Sequence, residues 1–259
     1  MYHLRTLAGL GLVILALEAS PAAPRGRFPG FSRNRDNTPP GPQVCDLRGF
    51  RASPLPRTPP ADPWPALGLI QGAAPAVRHP PVSGPPVLAD VLSRVDRPTY
   101  WRDPQDPDCP VTWAHEATHG LSGIVSPGCG GCGLYLLDGR AIQFSRHPQV
   151  TIGQVAAAIP AAERGDIFDL YLVKQRADWD REPLYLLDEW NAYVHGAMAR
   201  RQAGMTTRQE TERYAAEMER YCRRMVEVVE HRDPQYPDLD RLRAFVEWES
   251  KRFANVIGR

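Results

Sequence analysis

Five residues near the middle of the chain, His115-Glu-Ala-Thr-His119, have the types and spacing that metal chemistry requires. On a helix turning about 100° per residue, His115 and His119 lie about 40° apart, one turn above the other. Two imidazoles so placed can reach a single zinc ion at ~2.0–2.1 Å. Glu116 lies about 100° round from His115. It is left to work on the proton of a metal-bound water. The opposite side of the helix is apolar, with Ala114, Ala117, Leu121, Ile124 and Val125, and Trp113 at its edge. That side can pack into a core while both imidazoles project into a cleft. The bland alternative is two half-exposed histidines beside a surface glutamate.

A catalytic zinc site needs a third protein ligand and one open position. The metzincin extension would place Gly at 122 and His or Asp at 125, where this chain has Ser122 and Val125. An acid from a later helix is the other source, and "LYLLDEWNAYVHG" supplies candidates. On the wheel, Asp188, Asn191 and His195 form one polar stripe within about 60°, expected to face solvent. Glu189 lies off that stripe, near the line of Tyr193 and bordered by Leu186, Trp190 and Ala197. A lone carboxylate on an apolar face is costly unless it is paired, hydrogen-bonded or bound to metal. Glu189 is therefore the expected third ligand. An ion pair with an arginine would explain the same residue, and Asp188 and Asp169 are the competing acids.

Two histidines on one helix and a glutamate on a later one resemble the gluzincin group of zinc metallopeptidases, the group that includes thermolysin. The resemblance is carried by His115, Glu116, His119 and Glu189 and spans only His115 to Tyr193. It implies a helix-rich, zincin-like metallopeptidase domain acting on a protein or peptide substrate. It further implies Zn²⁺ held by His115, His119 and Glu189, with Glu116 as general base passing a proton to the leaving amine. A further donor would stabilise the oxyanion. Tyr193 is the residue assigned to that role, with Tyr185, His147 and His195 as other candidates. In the thermolysin branch an Asp often stands one turn after the glutamate ligand and orients the first histidine. Tyr193 holds that position here, so the chain departs from that branch. Two other functions stay open: a zinc hydrolase of a non-protein amide such as cell wall, and an exported, non-catalytic helical binding module.

The elements that must position these residues are mostly helical. "PVLADVLSRV", "VTWAHEATHGLSGIV", "TIGQVAAAI", "AERGDIFDLYLVKQR", "PLYLLDEWNAYVHGAMARR", "TTRQETERYAAEMERYCRRMVEVVEH" and "DLDRLRAFVEWESKRFANVI" each predict a helix. Thr151 is a predicted N-cap, Thr207 and Glu210 a capping box, and Pro183 suits a first helical turn. "LYLLDGRAIQF" predicts a β-hairpin, because Asp138-Gly139 accepts positive φ. The expected class is mainly α, or α+β, with that one small hairpin.

Composition sets the surroundings. The net charge is +1 over 259 residues, so no bulk field draws the chain to nucleic acid. "MYHLRT", the apolar run "LAGLGLVILAL" and "EASPAAP" read as a secretory signal peptide over residues 1–22, whose apolar run of 11 residues is too short to span a bilayer. The expected location is secreted or periplasmic, without a stable membrane span in the mature chain. Of 27 prolines, 21 fall between Pro21 and Pro110, so residues 23–86 are expected to be a disordered linker or pro-segment. The catalytic domain is then 87–259. Export makes disulfides the expected state of most of Cys45, Cys109, Cys129, Cys132 and Cys222, with one thiol left over; the connectivity is open, and a bond within the "GCGGCG" loop is one of the pairings.

Overall fold

The computed structural model describes residues 70–71, 76–78, 84–95, 109–126, 131–205 and 210–258. The signal peptide, most of the proline-rich segment and Thr207 of the expected capping box lie outside them. Helices dominate the described residues and surround one small antiparallel sheet, as the apolar periodicity predicts.

Strand β1 (Ile70–Gln71) precedes helix α1 (Pro86–Arg94) and the His-Glu helix α2 (Cys109–Val125). Strands β2 (Cys132–Tyr135) and β3 (Arg140–Phe144) form the hairpin, with Cys132 opposite Phe144 and Tyr135 opposite Ala141. Ile70 of β1 pairs with Ala141 on the other side of β3. The turn uses Leu137, Asp138 and Gly139 at φ 76°, 51° and 74°. That is one left-handed residue more than the Asp-Gly pair predicts, and a bulky side chain rarely adopts this conformation. Asp90 of α1 holds the turn, accepting from the Tyr135 hydroxyl at 2.5 Å and from the Asp138 amide at 3.0 Å.

Helix α3 (Ile152–Ala158) starts at Thr151, whose side chain accepts from the Gln154 amide in a reciprocal capping box. The single helix predicted for 162–176 is broken. It resolves into a 3₁₀ turn at Ala161–Glu163, a π-helical turn at Asp169–Lys174 and the short helix α4 (Arg176–Trp179). The break has a local cause. Glu217, from a later helix, accepts from the amides of Asp166 and Ile167, both at 3.0 Å, so a carboxylate takes the donors a helix would use. A Cβ at Gly165 would stand 2.3 Å from that carboxylate, so only glycine admits this approach.

Helices α5 (Tyr185–Gln202), α6 (Glu210–Arg232) and α7 (Leu239–Ile257) complete the described chain. Helix α5 is central and packs on α1, α2, α6 and α7. Its Leu186, Leu187, Trp190 and Val194 are fully buried, each worth roughly 1.5–3 kcal/mol or more. They anchor the larger core with α3, α6, α7 and the hairpin. A smaller core joins α1, α2, Tyr135, Leu137 and Ala199. The boundary between the two cores is where α2 meets α5.

Candidate metal centre

Helix α2 buries the predicted apolar face, namely Trp113, Ala114, Ala117, Leu121 and Val125. Ile124 departs from the expectation and is 54 % exposed. The opposite face is also covered, because α5 lies along it. Both imidazoles are therefore deeply buried, rather than lining an open cleft. The C-terminal half of α2 is tied to the hairpin. The Ser122 hydroxyl accepts from the Tyr135 amide at 3.2 Å and that of Ser126 from the Gly133 amide at 2.8 Å. A Cβ at Gly133 would meet the α2 backbone at 2.5 Å, so this close seating depends on glycine.

His115, His119 and Glu189 converge. Their imidazole Nε2 atoms are 3.0 Å apart, and Glu189 Oε2 is 3.6 Å from each. A point equidistant from all three atoms lies about 2.0 Å from each in their plane, which matches the Zn–N and Zn–O range. Glu189 is fully buried, and Oε2 has no hydrogen-bond partner among the described residues. An orphaned carboxylate oxygen aimed between two imidazole nitrogens is what a cation would satisfy. The group could therefore hold a metal ion. The partners of Glu189 are the two imidazoles and a tyrosine hydroxyl, so an arginine ion pair does not account for its burial.

The electrostatics of the triad are tightly coupled. Burial pushes His115 down to about 3, and the charge of His119 adds to this against the pull of Glu189. Burial also acts against protonated His119, but the Asp188 and Glu189 carboxylates outweigh it and raise its pKa. Glu189 is held low: burial opposes its ionisation, and His119 more than offsets that. Positive charge is thus favoured at His119, between two carboxylates. A cation would answer the same demand.

Asp188 supplies the orienting contact. Its Oδ2 accepts from His119 Nδ1 at 2.7 Å, which leaves Nε2 of that ring facing the triad. Sequence reasoning put Asp188 in a solvent-facing stripe with Asn191 and His195, and that expectation is corrected. Asn191 and His195 are fully buried. His195 is bonded to Thr118 Oγ1 at 2.7 Å and to Arg252 at 3.1 Å. The hydroxyl of Thr118 donates to Ala114 O, and Arg252 can only donate, so the His195 proton sits on Nδ1. Arg252 also donates to Asn191 Oδ1 at 2.7 Å and to Glu249 at 2.6 Å. This network braces α2 from behind and keeps His195 away from the triad.

The other candidates are placed as follows. Glu116 is buried on α2 at 9 % exposure, and its charge reaches Tyr193. The Tyr193 ring packs edge-on against His115 with centroids 4.6 Å apart, and its hydroxyl shares a 2.7 Å hydrogen bond with Tyr171. The Tyr185 hydroxyl is engaged by Glu189 Oε1 at 2.5 Å. His147 follows β3 and takes no part in the triad, and Asp169 is exposed on the π-helical turn. Sequence reasoning missed Tyr171, which offers no motif, and the orienting role of Asp188, for which adjacency to Glu189 was the available signal.

The pairing expected of most cysteines does not extend to Cys132 and Cys222, which are buried free thiols. Cys132 sits on β2 in the larger core, and the Cys222 thiol contacts the Leu186 carbonyl at 3.3 Å. Cys45, Cys129 and the side chain of Cys109 lie outside the described residues. Among those described, no helix is long and apolar enough to cross a membrane. Comparison with protein-family models, curated proteins and solved structures returns no match, so the resemblance to gluzincins rests on the triad and Glu116 alone.

Proposed function

We propose that this chain is an exported, zinc-dependent metallopeptidase, with Zn²⁺ held by His115, His119 and Glu189. One observation carries the reading: two imidazole nitrogens and an unpartnered carboxylate oxygen, from helices about 70 residues apart in sequence, meet at 3.0–3.6 Å. Bound there, the ion would supply Lewis acidity and bring the pKa of water down towards ~7. Asp188 fixes the His119 ring, and Tyr185 fixes the carboxylate. Glu116 stands next to His115 on the same helix and takes the role of general base, accepting a proton and delivering it to the leaving amine. Tyr193 is the donor for the developing oxyanion. Tyr171 can donate to the Tyr193 oxygen, which leaves the Tyr193 proton to give.

Burial of all three ligands favours a second reading, a metal held for structure within an exported binding module. Metal analysis with a peptide-library digest separates the two. The peptidase reading expects zinc in the purified chain, hydrolysis by the wild type, and a Glu116→Gln variant that keeps its zinc and loses turnover. Zinc without hydrolysis supports the structural role, and an active Glu116→Gln removes the general base.

A further inference from the structure

The two oxygens of Glu189 are in different circumstances. Oε2 faces both Nε2 atoms and has no hydrogen-bond partner among the described residues, whereas Oε1 accepts from the Tyr185 hydroxyl at 2.5 Å. A carboxylate can grip a cation through one oxygen or both. Using both requires Oε1 to swing towards the ion, and the Tyr185 hydroxyl, bonded to one of its two lone pairs, holds it turned away.

Tyr185 is held in place. It precedes Glu189 by one turn of α5, so the two side chains lie on one face of the helix. Its ring stacks on Trp179 with centroids 4.4 Å apart and planes 8° from parallel. Its hydroxyl also lies 3.0 Å from Gln175 Oε1. A phenol has a single proton, and the short contact with a carboxylate takes it. The Gln175 amide, whose oxygen and nitrogen are interchangeable in assignment, then presents N–H to the Tyr185 oxygen. The result is a directed chain from Gln175 to Tyr185 to Glu189. Gln175 and Trp179 both belong to the broken segment that follows the π-helical turn, which gives that irregular stretch a task at the site.

We infer that Tyr185 is a positioning residue that keeps Glu189 a one-oxygen ligand and thereby preserves an open coordination place at the metal. The inference rests on the metal-site reading above and deepens it. With the hydroxyl removed, Oε1 is free to turn inward, and the coordination number rises from four to five with solvent still bound, which crowds that place.

The test uses the full chain loaded with Zn²⁺ or, separately, Co²⁺. Tyr185→Phe keeps the stack on Trp179 and deletes only the hydroxyl. Its Zn²⁺ affinity should fall about 10–100-fold, the range for loss of an outer hydrogen-bond partner. Its Co²⁺ visible absorption should lose intensity as four-coordinate cobalt becomes five-coordinate. Gln175→Leu should shift the spectrum the same way, by less, and carries the test if Tyr185→Phe does not fold. A Co²⁺ spectrum that superimposes on wild type overturns the inference, even if affinity falls, because a merely structural role would weaken binding without changing coordination. A wild-type chain that binds neither ion sinks the metal reading itself and this inference with it.

Discussion

Removing the Asp188 carboxylate should weaken the metal centre without unfolding the chain. Its Oδ2 accepts from His119 Nδ1 at 2.7 Å, and its side chain is 19 % exposed, so solvent screens the contact only in part. A hydrogen bond involving a charged group contributes about 1.5–3 kcal/mol net, roughly twice a neutral one. Asp188→Asn keeps an acceptor but loses the charge, a difference of about 1–1.5 kcal/mol and therefore close to tenfold in metal affinity. Asp188→Ala removes the acceptor and the preference for the tautomer that leaves Nε2 unprotonated. It should cost up to about a hundredfold. Competition between the chain and a chromophoric chelator for Zn²⁺ reads both values, with circular dichroism confirming the fold. The ordering wild type, Asn, Ala is the expected result. Equal affinities for all three would refute the claim that this carboxylate orients His119.

Glu217 should matter for stability rather than for metal binding. It accepts from two backbone amides and from the Tyr221 hydroxyl at the broken segment, so Glu217→Ala strands buried donors at about 1–3 kcal/mol each. A urea midpoint unchanged from wild type would count against that account. His195 predicts a pH dependence. Burial, then the neighbouring Arg252 charge, holds it well below 6.5, so the folded chain keeps it neutral where the unfolded chain binds a proton. Stability rises with pH for such a group, is fully present above about 6.5, and is lost as pH falls below that value. With chelator present, melting temperature should therefore drop between pH 7 and pH 5, and His195→Gln should flatten the drop. Parallel curves for the two proteins would remove His195 as a cause.

Local spacing made half of this architecture legible. The i, i+4 histidines, the apolar face of α2, the Thr151 cap and the hairpin are short-range features, and each appears where the sequence places it, with Ile124 and the extra turn residue as exceptions. Glu189 was legible for a different reason: an acid on an apolar face demands a partner. The polar stripe beside it misled, because Arg252 lies 57 residues beyond His195 in sequence and converts an outward-facing pattern into a buried network. The broken segment at 162–176 likewise depends on Glu217, a contact that no local propensity encodes. Cysteine content pointed to disulfides, but Cys132 and Cys222 serve instead as small apolar residues in the core.

The brace formed by Thr118, His195, Arg252 and Glu249 sets an order in time as well as in space. A ribosome delivers His115, His119 and Glu189 in sequence, yet the guanidinium that seats the rear of α2 follows Glu189 by 63 residues. A nascent polypeptide can thus carry every ligand and still lack the backing that fixes them. The seating of that helix is complete only once Arg252 is in place, and an Arg252→Ala variant should hold an ion at the triad more loosely while keeping all three ligands.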